Sequence, residues 1–109
     1  MDIVISAKHM ELTDALKNYV EERLHRLTKF TDQNLKADIH LVADKHRHHI
    51  HSVIKGGGIY MNSEAEDPAN MYKAIDQCVD KLEKQFRRGK QGHGEKKKGK
   101  EAQRQEAMS

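Results

Sequence analysis

Covalent reinforcement is almost absent from this chain. One cysteine, Cys78, stands among 109 residues, so no internal disulfide can form, which fits a reducing compartment. Tryptophan is missing, and the aromatics are three Tyr and two Phe. That is too few for a sheet that reads single strands by stacking successive bases. No apolar run approaches the roughly 18 residues of a spanning helix. The N-terminus also lacks a cationic stretch leading into an apolar segment. The expectation is a cytoplasmic protein, neither exported by a recognisable signal nor inserted in a membrane. Catalytic patterns are missing too. No Ser-His-Asp or Cys-His arrangement can be argued, and Gly56-Gly57-Gly58 lacks the Lys-Ser/Thr that follows a phosphate-binding loop. We therefore expect no enzyme activity, no cofactor and no small-molecule substrate.

What the chain has in quantity is charge. Charged residues make up 34% and hydrophobic ones 36%, with a net charge of +3. The charge is unevenly placed. Residues 1–86 hold 12 Lys and Arg against 14 Asp and Glu, whereas residues 87–109 hold 8 against 3. Beyond Gly89 come Gly92, Gly94, Gly99 and the run Lys96-Lys97-Lys98, with no apolar residue before Ala102. Such a segment cannot bury enough surface to fold alone. The expected division is a single folded domain over 1–90 and a basic, disordered tail over 91–109. A core of that size is small but sufficient without disulfides or metal.

Periodicity gives the elements. Ile3-Val4-Ile5 opens a short β-branched strand. Thr13 is a fitting N-cap for a helix to about Phe30, whose stripe is Leu16, Tyr19, Val20, Leu24, Leu27 and Phe30. After the polar turn Thr31-Asp32-Gln33-Asn34, Leu35, Ala37, Ile39, Leu41 and Ala43 alternate with mostly polar residues, the signature of a strand with one face on a core. Residues 44–47 form a turn. A second strand, His49 to Lys55, puts Ile50, Ser52 and Ile54 on one face, and Gly56-Gly57-Gly58 supplies the positive φ of a tight hairpin into a strand from Ile59 to Glu66. The last helix begins either at Asp67-Pro68 or at Asn70. Its stripe is Met71, Ile75, Cys78, Val79, Leu82 and Phe86. On that stripe Cys78 reads as a buried small hydrophobe. The order β-α-β-β-β-α predicts an α+β two-layer sandwich, a four-stranded sheet with two helices packed on one face.

The exposed flanks are where function is sought. The first helix carries Lys17, Arg23, Arg26 and Lys29, and the second Lys73, Lys81, Lys84, Arg87, Arg88 and Lys90. Side-by-side helices would let these flanks merge into one cationic surface suited to phosphates. Charge on a helix is usually a solvated face, and Asp76, Asp80 and Lys84 are spaced for local ion pairing. His46, His48, His49 and His51 gather around one hairpin, with His40 on the neighbouring strand. With no Cys partner and no helical His-x-x-x-His pair, they read as a polar strand face and weak RNA contacts, and no metal is expected.

These features resemble the ribosome hibernation promoting factors, also called ribosome-associated inhibitors or the sigma-54 modulation protein family. The resemblance covers about residues 1–90. Glu11-Leu12-Thr13-Asp14-Ala15-Leu16 matches the family's E-I/L-T-x-A-L/I helix start. Met71-Tyr72-Lys73-Ala74-Ile75-Asp76 with Asp80-Lys81-Leu82-Glu83-Lys84-Gln85 matches its D-M-Y-x-A-I-D and D-K-L-x-x-Q-L signature. Asn70 replaces the family's usual Asp after a short Asp67-Pro68-Ala69 insertion, and the match is to the short form, without the second domain of long members.

The resemblance implies a non-enzymatic inhibitor of translation under stress or stationary phase. It would bind the small ribosomal subunit in the decoding channel and block messenger and tRNA binding. Its partners would be small-subunit rRNA and nearby ribosomal proteins, and it would be a monomer off the ribosome. The expected rRNA-binding residues are Arg23, Arg26, Lys29, Lys81, Lys84, Arg87, Arg88, Lys90 and Tyr60. A general module for structured or double-stranded RNA is the alternative.

Overall fold

The computed structural model describes residues 1–91, with side chains to Arg88. Strand β1 (Asp2–Lys8) is followed by helix α1 (Asp14–His25), which tightens into a 3₁₀ helix over Arg26–Phe30. Strands β2 (Lys36–Ala43), β3 (His48–Gly56) and β4 (Ile59–Asp67) and helix α2 (Met71–Gln91) complete the order. The expected α+β architecture is present, with the strands in the order β1-β2-β3-β4. β1 and β2 are parallel, with Ile5 opposite Ile39, so α1 and its 3₁₀ extension carry the chain back between them. The other two pairings are antiparallel.

Alternation decides the two sheet faces. Ala37, Ile39 and Leu41 of β2, Ile50, Ser52 and Ile54 of β3, and Met61, Ser63 and Ala65 of β4 are buried. Leu16, Val20, Leu24 and Leu27 close over them with the whole stripe expected of α2. Two serines sit in this core, and both are satisfied. Ser52 Oγ lies 3.2 Å from Cys78 Sγ, and Ser63 Oγ donates to the Cys78 carbonyl at 3.1 Å. Cys78 is buried as expected, and burial pushes its thiol pKa up.

Local chemistry sets the boundaries. Thr13 caps α1, its hydroxyl accepting from Leu16 N at 3.2 Å. The first helix does not stay α-helical to Phe30. Leu24, Leu27 and Phe30 are spaced by three, which drifts around a 3.6-residue helix but stays aligned at three residues per turn. Thr28 stabilises that turn by donating to the His25 carbonyl at 2.7 Å. At the second helix Asn70 is the cap, accepting from Lys73 N at 3.2 Å, while Asp67 folds the approach by accepting from Ala69 N and Asn70 N. Pro68 therefore lies outside the helix.

The β3–β4 hairpin turns on Gly57 (φ 53°) and Gly58 (φ 83°), the pair of positive φ values of a type I′ turn. Gly56 (φ 152°) has a second reason to lack a side chain, because a Cβ there would strike the Asn34 carbonyl. The exposed edge of β4 is blunted by α2. Lys81 Nζ donates to the Glu64 carbonyl at 2.7 Å and Gln85 Nε2 to the Asn62 carbonyl at 2.8 Å.

Candidate nucleic-acid interface

Contacts between the helices advance together along both. Tyr19 meets Tyr72 edge-to-face at 4.9 Å, Arg23 reaches Asp76 and Asp80, Arg26 reaches Glu83, and Phe30 stacks on Phe86 at 5.4 Å. The helices therefore run parallel, and their C-terminal ends arrive at the same end of the molecule. Lys29 belongs to that end, its Nζ 5.4 Å from the Phe30 ring centroid. So do Lys84, Arg87 and Arg88 in the last turns of α2. Lys84, Arg87 and Arg88 are exposed. Among the described residues, neither they nor Lys29 form an ion pair with a carboxylate.

Two parallel helix ends also sum their negative dipole ends, which cations there offset by about 0.3–1 kcal/mol each at an exposed site. That effect fades within a turn of the terminus. It leaves Lys84 without a local structural role.

The arginines of α1 and the 3₁₀ helix are differently placed. Arg23 is inserted between the helices, its Nε 3.0 Å from Asp76 Oδ1 and its Nη2 3.7 Å from Asp80 Oδ1. Tyr19 donates to the same Asp76 oxygen at 2.6 Å, and that hydrogen bond, with burial, raises the tyrosine pKa. Arg26 is half exposed, with Nη2 3.6 Å from Glu83 Oε2. Asp76 and Asp80 therefore pair across the seam rather than with Lys84 along their own helix, as their spacing suggested.

The expected residues thus fall into groups. Lys29, Lys84, Arg87 and Arg88 form an exposed cationic end, with Arg26 at its margin. Arg23 is committed to the seam and Lys81 to the β4 edge. Tyr60 is exposed but stands on the sheet face turned away from the helices, opposite Lys55, so it shares the end of the molecule and not the surface. Lys90 and the tail lie outside the described side chains. Glu83, buried at 6% exposure, escaped the sequence reading. Its only sequence signal was a place four residues beyond Val79 on the edge of the apolar stripe.

His40, His49 and His51 line the open sheet face, whereas His46 stands in the β2–β3 turn and His48 falls on the same side of β3 as the buried Ile50. His40 pairs with His51 across β2 and β3, Ser6 Oγ is 2.7 Å from His40 Nδ1, and His49 Nε2 is 3.0 Å from Glu64 Oε1. Among the described residues, no three His, Cys, Asp or Glu side chains converge to hold a metal. No helix among the described residues is long and apolar enough to cross a membrane.

The fold and the site together define a two-layer α+β domain, one sheet under two parallel helices that end in a shared basic patch. The comparisons are narrower. The profile of the family described as sigma 54 modulation protein / S30EA ribosomal protein matches residues 3–93, and the chain belongs to that family. It is 33% identical over 101 residues to a ribosome hibernation promoting factor of Azotobacter vinelandii, covering 91% of this chain and 92% of that one. Among solved structures it is similar to the protein Y N-terminal domain of Thermus thermophilus (TM-score 0.76, 35% identity, 81% of this chain and 98% of that one). It is also similar to a ribosomal subunit interface protein of Coxiella burnetii (TM-score 0.74, 27% identity, 84% of this chain and 99% of that one).

Proposed function

We propose that this protein is a ribosome hibernation factor. It occupies the decoding channel of the small subunit, excludes messenger and tRNA, and silences translation under stress or in stationary phase. It acts by steric exclusion, without catalysis, and is a cytoplasmic monomer off the ribosome. The observation that carries the reading is the convergence of Lys29, Lys84, Arg87 and Arg88 at one end of two parallel helices, in a chain of this family. An rRNA-lined cleft offers closely spaced phosphates and few readable base edges, so a plug needs fixed cations more than sequence readout. Arg26 adds a planar donor at the margin, and Tyr60 offers a stacking contact on the far wall of a channel that encloses both faces. Arg23 supports the surface from within.

Sedimentation of lysates from starved and growing cells tests the reading, with purified protein added to small subunits in the presence of duplex RNA competitor. The protein is expected in the small-subunit and whole-ribosome fractions of starved cells, and to inhibit translation in a purified system. Preference for free duplex over subunits would instead establish a general structured-RNA module.

A further inference from the structure

Glu83 is the one charged side chain buried among the described residues, at 6% exposure. Its Oε2 accepts no hydrogen bond, so the carboxylate bears a desolvation cost with little local return. It also sets a negative charge beneath a surface whose exposed helix-end charges are positive, where it repels any polyanion. A methionine would fill the same space without either cost, and a glutamine without the charge. What the carboxylate does reach is Arg26, at 3.6 Å.

Arg26 differs from Arg23 in what is left over. Arg23 is 21% exposed and held by two carboxylates, whereas Arg26 is 47% exposed and approached by one, through a single terminal nitrogen. A guanidinium has five donors in one plane, so a carboxylate charge beside one terminal nitrogen draws that edge inward and leaves the opposite edge for a phosphate.

We propose that Glu83 is a positioning residue for polyanion docking: from inside the helix seam it orients the Arg26 guanidinium so that its outer edge meets an rRNA phosphate. This rests on the reading that the cationic end binds rRNA. The idea has a distinctive sign. Plain electrostatics makes neutralisation of Glu83 strengthen binding to a polyanion, whereas loss of orientation weakens it.

The test is a double-mutant cycle of wild type, Glu83→Gln, Arg26→Ala and the double variant. Each is titrated with purified small ribosomal subunits at 0.1 M salt and its thermal midpoint recorded. Glu83→Gln is expected to weaken binding about eightfold, the counterion contribution of one phosphate contact at that salt. It should change nothing further once Arg26 is gone, and it should not lower the midpoint. Tighter or unchanged binding by Glu83→Gln overturns the proposal. So does an equal loss with and without Arg26, which a merely structural role would produce. Failure of the wild type to bind subunits would sink the ribosome reading first and this role with it. Wild-type binding with either contrary pattern sinks the role alone.

Discussion

Removing two cations from the shared helix end should change how binding depends on salt, as well as how tight it is. Five exposed cations stand at or beside that end: Arg26, Lys29, Lys84, Arg87 and Arg88. If each neutralises one phosphate, log affinity falls with log salt at a slope of about −4.5, taking the duplex value of about 0.9 per contact. Between 50 and 200 mM salt that is a loss of about 500-fold. Lys84→Ala with Arg88→Ala leaves three contacts, a slope of about −2.7 and a loss of about 40-fold over the same range. Both side chains are exposed, so the double variant should fold as wild type does. Lys45→Ala, in the turn between β2 and β3 at the opposite end, serves as the control and should leave the slope alone. The assay is equilibrium binding to purified small subunits at several potassium concentrations with magnesium held constant. A wild-type slope near zero, or a double variant that keeps the wild-type slope, would refute a phosphate-binding helix end.

Stability offers two further outcomes. Gly56→Ala should cost about 2 kcal/mol or more, because the new methyl must displace the Asn34 carbonyl at a φ that L-residues avoid, while Gly58→Asn should cost well under 1 kcal/mol. Urea titrations of both variants would check the contrast. Alkaline pH should destabilise the fold. The Cys78 thiol and Tyr19 phenol are both raised above their ordinary values. The stability they protect is therefore intact below the unfolded-state values, about 8.5 for Cys and 10 for Tyr, and is lost as pH climbs through the folded ones. Denaturation midpoints should fall from about pH 9 upward, and Tyr19→Phe should flatten the upper part of the curve. A midpoint constant to pH 11 would contradict the burial of the Cys78 thiol and the hydrogen bond from Tyr19 to Asp76.

Much of the fold was legible because it rests on local rules. Alternation through Leu35, Ala37, Ile39 and Leu41 can be satisfied only by a strand with one covered face, and the α2 stripe only by a helix lying on something apolar. The 3₁₀ tightening at Arg26 was missed because a spacing of three is compatible with either helix until the core dictates which face Phe30 must keep. The site was less legible. Arg23, Arg26 and Lys29 look equivalent in sequence, yet Arg23 is taken up by Asp76 and Asp80 and Lys81 by a strand-edge carbonyl. Those partners lie 17 to 57 residues away, beyond any local pattern.

By itself the sequence determined which side of each strand and helix is apolar, where the first helix starts, where the hairpin turns, and the family, because these follow from side chains within a few residues of one another. Only the tertiary structure decided that the two helices run parallel, so that their basic ends coincide, and which cations stay exposed there. That outcome depends on which distant carboxylate or carbonyl each side chain meets once the sheet has set the helices side by side.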